Sequence, residues 1–184
     1  MGVLPAATLP ACNGSRTGLR STLRIGLGWA GNPAQANDRR RSIPPEALAP
    51  LLRTEGITFV NLQVGPRASE TGLTDLSAEL PDFAATAAVI ATLDLVIAVD
   101  SAVAHLAGAL GAPVWVLLAY APDWRWLLGR EDSPWYASAT LFRQATPGDW
   151  DGVIARVRTA LGRFGVPDPE NRGTARRPRF APGH

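Results

Sequence analysis

The sequence contains no lysine: all 18 of its basic residues are arginine. It has one cysteine, Cys12, one methionine, and two histidines, of which His184 is the last residue. A lone cysteine excludes an internal disulfide framework. Two histidines so placed, with Cys12 in a loose flank, do not have the spacing of a metal site, and no metal or other cofactor is expected. No apolar run approaches the ~20 residues that a membrane-spanning helix needs. The opening MGVLPAATLPACNGSR lacks the basic stretch and unbroken apolar run of a signal peptide. These absences point to a soluble chain without a transmembrane segment, expected in the cytoplasm. With 184 residues, 46% of them hydrophobic and 18% charged, the chain supports one domain with a real core, which excludes a disordered polypeptide.

An isoelectric point near 9.3 suggests a nucleic-acid partner until the charges are placed. Residues 1–24 carry three Arg and no acid, and residues 163–184 carry five Arg against Asp168 and Glu170. The stretch between them holds 10 Arg against 14 acids, so the body is mildly acidic. A surface that tracks phosphates needs a basic body. Nucleic acid is therefore not an expected partner.

Residues 1–21 mix Pro, Gly, Asn, Ser and Thr without a period and read as an irregular leader, and residues 165–184 read as a disordered tail. Between them, over residues 22–164, short apolar runs alternate with helical patterns: RIGLGW, PEALAPLLR, ITFVNLQ, DFAATAAVIATLD, LVIAV, SAVAHLAGAL and PVWVLL. Strands as continuously apolar as LVIAV and PVWVLL suit a parallel sheet covered on both faces, so the expected fold is a doubly wound α/β domain. GLTDLS and ATLFRQ add two candidate strands, for about six in all. The closing GDWDGVIARVRTALGRF places Val153, Val157, Ala160, Leu161 and Phe164 on one helical stripe.

Gly26-Leu-Gly28-Trp-Ala-Gly31 spells the G-x-G-x-x-G of dinucleotide binders. That fingerprint needs a helix starting inside the motif and an acid about 20 residues on. Here Asn-Pro follows, and the second strand runs to Gln63, so Gly26 and Gly28 are read as strand residues that allow close packing. The loop of residues 31–45, headed by Asn32, sits at the carboxyl end of the first strand, where open α/β sheets bind ligands. Its Arg39, Arg40 and Arg41 can grip a diphosphate through guanidinium forks, or simply form a solvated basic loop. Asp100 ends the LVIAV strand, and Ser101 can cap the following helix. The free N–H groups of Ala102, Val103 and Ala104 then form an anion site. His105, about one turn in, either donates to a bound nucleotide or is a satisfied boundary histidine. Trp124, Trp126, Trp135 and Tyr136 can form an aromatic shelf, although packing of a long loop is the reading we favour. Asp123, Glu131 and Asp132 are candidate acid/base groups by residue type alone.

The stretch IAVDSAVAHLAGALGAPVWVLL resembles the nucleotide-sugar motif of glycosyltransferase family 9, the ADP-heptose:lipopolysaccharide heptosyltransferases. IGLGWAGNP, NDRRRSIP, PDWRWLLGREDSPWY and LFRQATPGDW are similar to the variant of that family often fused to tetratricopeptide repeats. The likeness covers roughly residues 22–162 and implies a Rossmann-like domain equivalent to the C-terminal half of a GT-B glycosyltransferase. It implies a nucleoside diphosphate sugar donor, held by Asn32, Arg41, Asp100, Ser101, Ala102, Val103 and His105. Ala102 stands where the family usually has glycine. The catalytic residue is unknown, because the family's base belongs to an acceptor domain, here expected as a separate partner, as are tetratricopeptide repeats. The expected function is donor binding in hexosyl or heptosyl transfer. The alternatives are a non-catalytic nucleotide-sugar-binding module and a truncated gene product.

Overall fold

A computed structural model describes residues 22–35 and 37–164, and the expected leader and tail lie outside the described residues. Five strands form one sheet: β1 (Leu23–Gly28), β2 (Ile57–Asn61), β3 (Leu95–Val99), β4 (Val114–Leu118) and β5 (Ala139–Arg143). They are all parallel, in the order β2-β1-β3-β4-β5. The helices are α1 (Asp38–Arg41), α2 (Pro45–Leu52), α3 (Phe83–Ile90), α4 (Ala102–Ala109) and α5 (Trp150–Leu161), with a 3₁₀ turn at Trp124–Trp126. Among the described residues no helix is long and apolar enough to cross a membrane.

Every residue of β3 and β4 is buried, as their unbroken apolar sequences require of strands covered on both sides. Alternation along β3 sends Leu95, Ile97 and Val99 into one core with α2 and α5. Val96 and Ala98 enter a second core with α3 and α4. The sheet is thus doubly wound. Right-handed crossovers require this division, since the chain moves from β1 outward to β2 and then back across to β3.

The helix ends follow local chemistry. Asp82 caps α3 by accepting from Ala85 N at 2.8 Å, and Asp149 caps α5 by accepting from Gly152 N at 2.9 Å. Gly111, at φ +67°, ends α4. Its N–H donates to the Gly108 carbonyl while Ala112 N donates to the Ala107 carbonyl, the paired closure that an αL glycine allows.

Three expectations need correction. GLTDLS is a loop, which leaves five strands in place of about six. Its leucines are three residues apart: Leu73 packs against the core of α2 and α5, and Leu76 against the other. Asp75 closes a turn between them by accepting from Ser77 N and Oγ. β2 stops at Asn61, short of Gln63. The arginine run is a turn of helix, α1, and not part of an extended loop.

Candidate functional site

The strand order reverses direction at β1: the chain leaves β1 for β2 on one side, and β3 lies on the other. The loops after β1 and β3 therefore separate and leave a crevice at the carboxyl edge of the sheet. A cleft of about 740 Å³ opens there. Its walls include Asn32 and Arg41 from the β1 side and Asp100, Ser101, Ala102, Val103 and His105 from the β3 side. All seven residues singled out in the sequence lie along this one cleft.

Gly26 and Gly28 lie within β1, as expected, and no helix begins inside the glycine motif. The place of a Cβ on Gly26 is taken by the Leu62 and Leu93 side chains, while Gly28 lies beside Ala98 and Val103. A Cβ on Gly31 would meet the Arg41 guanidinium. The third glycine thus makes room for an arginine, and nothing in the motif requires a dinucleotide.

α1 points Arg41 across the crevice. Its Nη1 donates to the Asp100 carbonyl at 3.1 Å, and its Nε lies 3.4 Å from Asp38 Oδ1. Asp38 is buried and also meets Arg67 Nη1 at 3.4 Å. Arg67 pairs in turn with Glu70, whose carboxylate accepts from the Trp29 indole N–H at 3.3 Å. Arg39 and Arg40 are exposed, and Arg40 also lines the cleft, so the basic run divides into one anchored arginine, one free arginine on the cleft wall and one outside it. Sequence reading missed Asp38, whose signal was an acid three residues ahead of Arg41 on a helical turn. It also missed the role of Gln63, whose Oε1 accepts from Ala30 N at 2.9 Å and ties the ends of β1 and β2 together.

Across the cleft, Ser101 is the N-cap of α4, but its hydroxyl makes no capping bond and is buried without a partner. The free N–H groups of the first turn lie behind it. Ala102 sits in this turn without strain, since Leu127 is the one non-glycine residue with positive φ among those described. His105 Nε2 lies 3.4 Å from Asp100 Oδ1, and its Nδ1 lies 3.0 Å from the Tyr136 hydroxyl. Its ring stacks on Trp126 at 5.3 Å and 20°. Both ring nitrogens are thus engaged within the protein, as in a satisfied boundary histidine. Burial pushes the Asp100 carboxyl upward, but hydrogen bonding from His105, the nearby Trp126 indole N–H and the charges of His105 and Arg41 outweigh it. The net effect holds Asp100 below the usual carboxylate value. The indole N–H acts here as a nearby dipole, having no hydrogen bond of ordinary geometry.

The aromatic cluster only partly follows the packing expected of it. Trp126 is fully buried and Tyr136 packs beside it, but Trp124 and Trp135 are 69% and 59% exposed. The three candidate acids do not form a cluster in the cleft. Asp123 lines it and pairs with Arg125, whereas Asp132 pairs with Arg130 outside it. Glu131 is exposed and is not part of the cleft wall.

Residues 62–149 match the family model of glycosyltransferase family 9 (heptosyltransferase). Protein FlbA of Caulobacter vibrioides is 36% identical over 155 residues, which is 77% of this chain and 25% of FlbA. The chain therefore spans about a quarter of the length of this relative. The matched segment runs from the end of β2 to the cap of α5 and includes the Asp100–His105 wall of the cleft. Over residues 62–149, just under half of its length, the chain is thus similar to glycosyltransferase family 9.

Proposed function

We propose that this chain is the donor-binding unit of a glycosyltransferase, taking a nucleoside diphosphate sugar with its diphosphate between Arg41 and the amino end of α4. One observation carries this reading. A fixed guanidinium and a helix amino terminus, whose N-cap Ser101 has a buried and unpartnered hydroxyl, border one cleft at the switch point of the sheet. Each favours an anion, and together they supply donors at both sides of a phosphate pair. Asn32 borders the β1 side of the same cleft, and the lining at Gln63, Val64 and Ala119 leaves room for the nucleoside.

In transfer, an acceptor hydroxyl attacks the anomeric carbon and the bond to the diphosphate oxygen breaks. Negative charge then grows on the leaving diphosphate. Arg41 and the α4 N–H groups lie where that charge develops, and preformed donors of this kind lower a barrier without reorganising. Asp100, kept ionised and braced by His105, presents a fixed carboxylate on the same wall. The acceptor and the base that deprotonates it are assigned to a separate acceptor domain. Positioning of that kind accounts for ~7–11 kcal/mol of a barrier. The chain alone is therefore expected to bind donor without efficient turnover, and the non-catalytic and truncated readings make the same forecast.

Calorimetric titration with UDP-, GDP- and ADP-sugars, with CMP-sugars as the monophosphate comparison, tests the reading. We expect at least one diphosphate sugar to bind, and Arg41→Ala to weaken it tenfold or more. Binding of none, or equal binding by Arg41→Ala, refutes the proposal. Preference for a CMP-sugar would show that the cleft takes a single phosphate.

A further inference from the structure

A smaller pocket of about 240 Å³ adjoins the cleft and shares His105 and Arg125 with it. Its other walls are Trp124, Trp126, Trp135 and Tyr136. Pockets that enclose a whole small-molecule ligand usually measure ~300–1,000 Å³, so this one is sized for a single ring.

The exposed aromatics at its mouth are held in place. Trp124 and Trp135 meet edge to face with ring centroids 6.4 Å apart, and the Arg125 guanidinium lies 5.8 Å from the Trp124 ring centroid. The turn that carries them is tethered three ways. Asp123 accepts from Arg125 N at 3.0 Å, the Trp135 indole N–H donates to the Arg125 carbonyl at 2.9 Å, and the Arg143 guanidinium donates to the Trp126 carbonyl. The turn then leaves through Leu127 at φ +54°, ψ −166°, a conformation that leucine adopts only at a cost. Two large apolar rings kept in water by a tethered and strained turn are poorly explained by folding, which would bury them.

Resting on the donor-cleft reading above, we propose that this pocket holds the transferred sugar ring, with Trp124 and Trp135 as its aromatic wall. A pyranose has an apolar C–H face and a rim of hydroxyls. The pocket opposes indole faces to the first and brings the Arg125 guanidinium to the second, while His105 and Tyr136, bonded to each other, complete its wall. Position separates the sugar from the base. His105 lies about one helical turn, ~5.4 Å, from the amino end of α4. The ring that close to the diphosphate is the one bonded directly to it, because the base lies beyond a ribose.

The test uses the full chain labelled with ¹⁵N, following its indole N–H signals. Trp124→Phe and Trp135→Phe each delete one signal and so assign it. Methyl glucoside, methyl mannoside and methyl N-acetylglucosaminide are titrated to tens of millimolar, alongside UDP and ADP without sugar. We expect at least one glycoside to move the Trp124 and Trp135 signals and to leave Trp115 and Trp150, in the opposite core, in place. If no glycoside moves either signal, the inference is overturned. It is equally overturned if bare nucleotides move them as far as the glycosides do, which would give the pocket to the base, or if they move with protein concentration alone, which would mark contact with a second copy. The amides of Gly31 and Ala102 report the cleft independently. Amides silent to every nucleotide, with indoles responding to glycosides, would refute the donor-cleft reading and with it the transfer role, leaving a glycoside site alone.

Discussion

Replacing Gly31 with alanine tests the cleft without touching a charged residue. Gly31 does not have a positive φ, so the backbone accepts a side chain. The new methyl would lie 2.5 Å from Arg41 Nε and Cζ, far inside van der Waals contact. A guanidinium at the end of a flexible stem can swing away, so the collision is relieved by losing the Arg41 position and not by unfolding. Arg41 then gives up its partly exposed pair with Asp38, worth about 0–1 kcal/mol, and its bond to the Asp100 carbonyl, worth about 0.5–1.5 kcal/mol. Reduced freedom of the unfolded chain returns about 0.4–1 kcal/mol. The net loss is about 1 kcal/mol, or ~2–4 °C in Tm. Charge-assisted bonds to a phosphate are worth about 1.5–3 kcal/mol, so affinity should fall about ten- to a hundredfold. Melting by circular dichroism and calorimetric titration with pyrophosphate measure the two effects separately. Arg41→Ala should match Gly31→Ala, and the double variant should lose little more than either, since both remove one contact. Multiplying losses would place Gly31 in some other role. Unchanged affinity would remove Arg41 from the anion site, and a Tm fall well beyond this range would make it a structural strut.

Gly26→Ala should destabilise by about 1–3 kcal/mol, because its methyl would meet Leu62 and Leu93 in the core; a denaturant midpoint equal to that of the parent would contradict this. Gly108→Ala should press on the Tyr136 ring and destabilise by about 1–3 kcal/mol; a denaturant midpoint equal to that of the parent would argue against the clash. Asp100 titrates lower in the folded chain than its ordinary value, so on acidification the unfolded chain takes up this proton first. Its stabilising contribution is complete above about pH 5 and is lost as pH falls through the folded value, so Asp100→Asn should flatten the acid limb of stability measured by denaturant titration. An acid limb as steep as the parent's would refute that. Leu127→Gly relieves a positive φ and should raise Tm slightly, where a clear fall would mean that the leucine packs more than its 44% exposure implies.

Some of this protein was determined by its sequence alone. The runs LVIAV and PVWVLL became fully buried strands because a strand apolar at every position needs cover on both faces. The stripe of Val153, Val157 and Leu161 became the buried side of α5 because a helical period leaves no other face to bury. The start of a helix after Asp100 was also legible, and any helix that starts there exposes its first N–H groups. The rest depended on residues far apart in the chain. GLTDLS read as a strand locally but is a loop, because Asp75 turns the chain by accepting from Ser77 N and Oγ. Three consecutive arginines look alike in sequence, yet Arg39 lies off the cleft wall, Arg40 lines it from an exposed position, and Arg41 is the one held in place, by buried Asp38 and the Asp100 carbonyl. His105 and Tyr136 are 31 residues apart, and only the packing of the Trp126 turn on α4 brings them together. The exposure of Trp124 and Trp135 is likewise a tertiary outcome. Local pattern records a side chain's preference for burial, but the cover it receives depends on which elements the β2-β1-β3-β4-β5 order places over it.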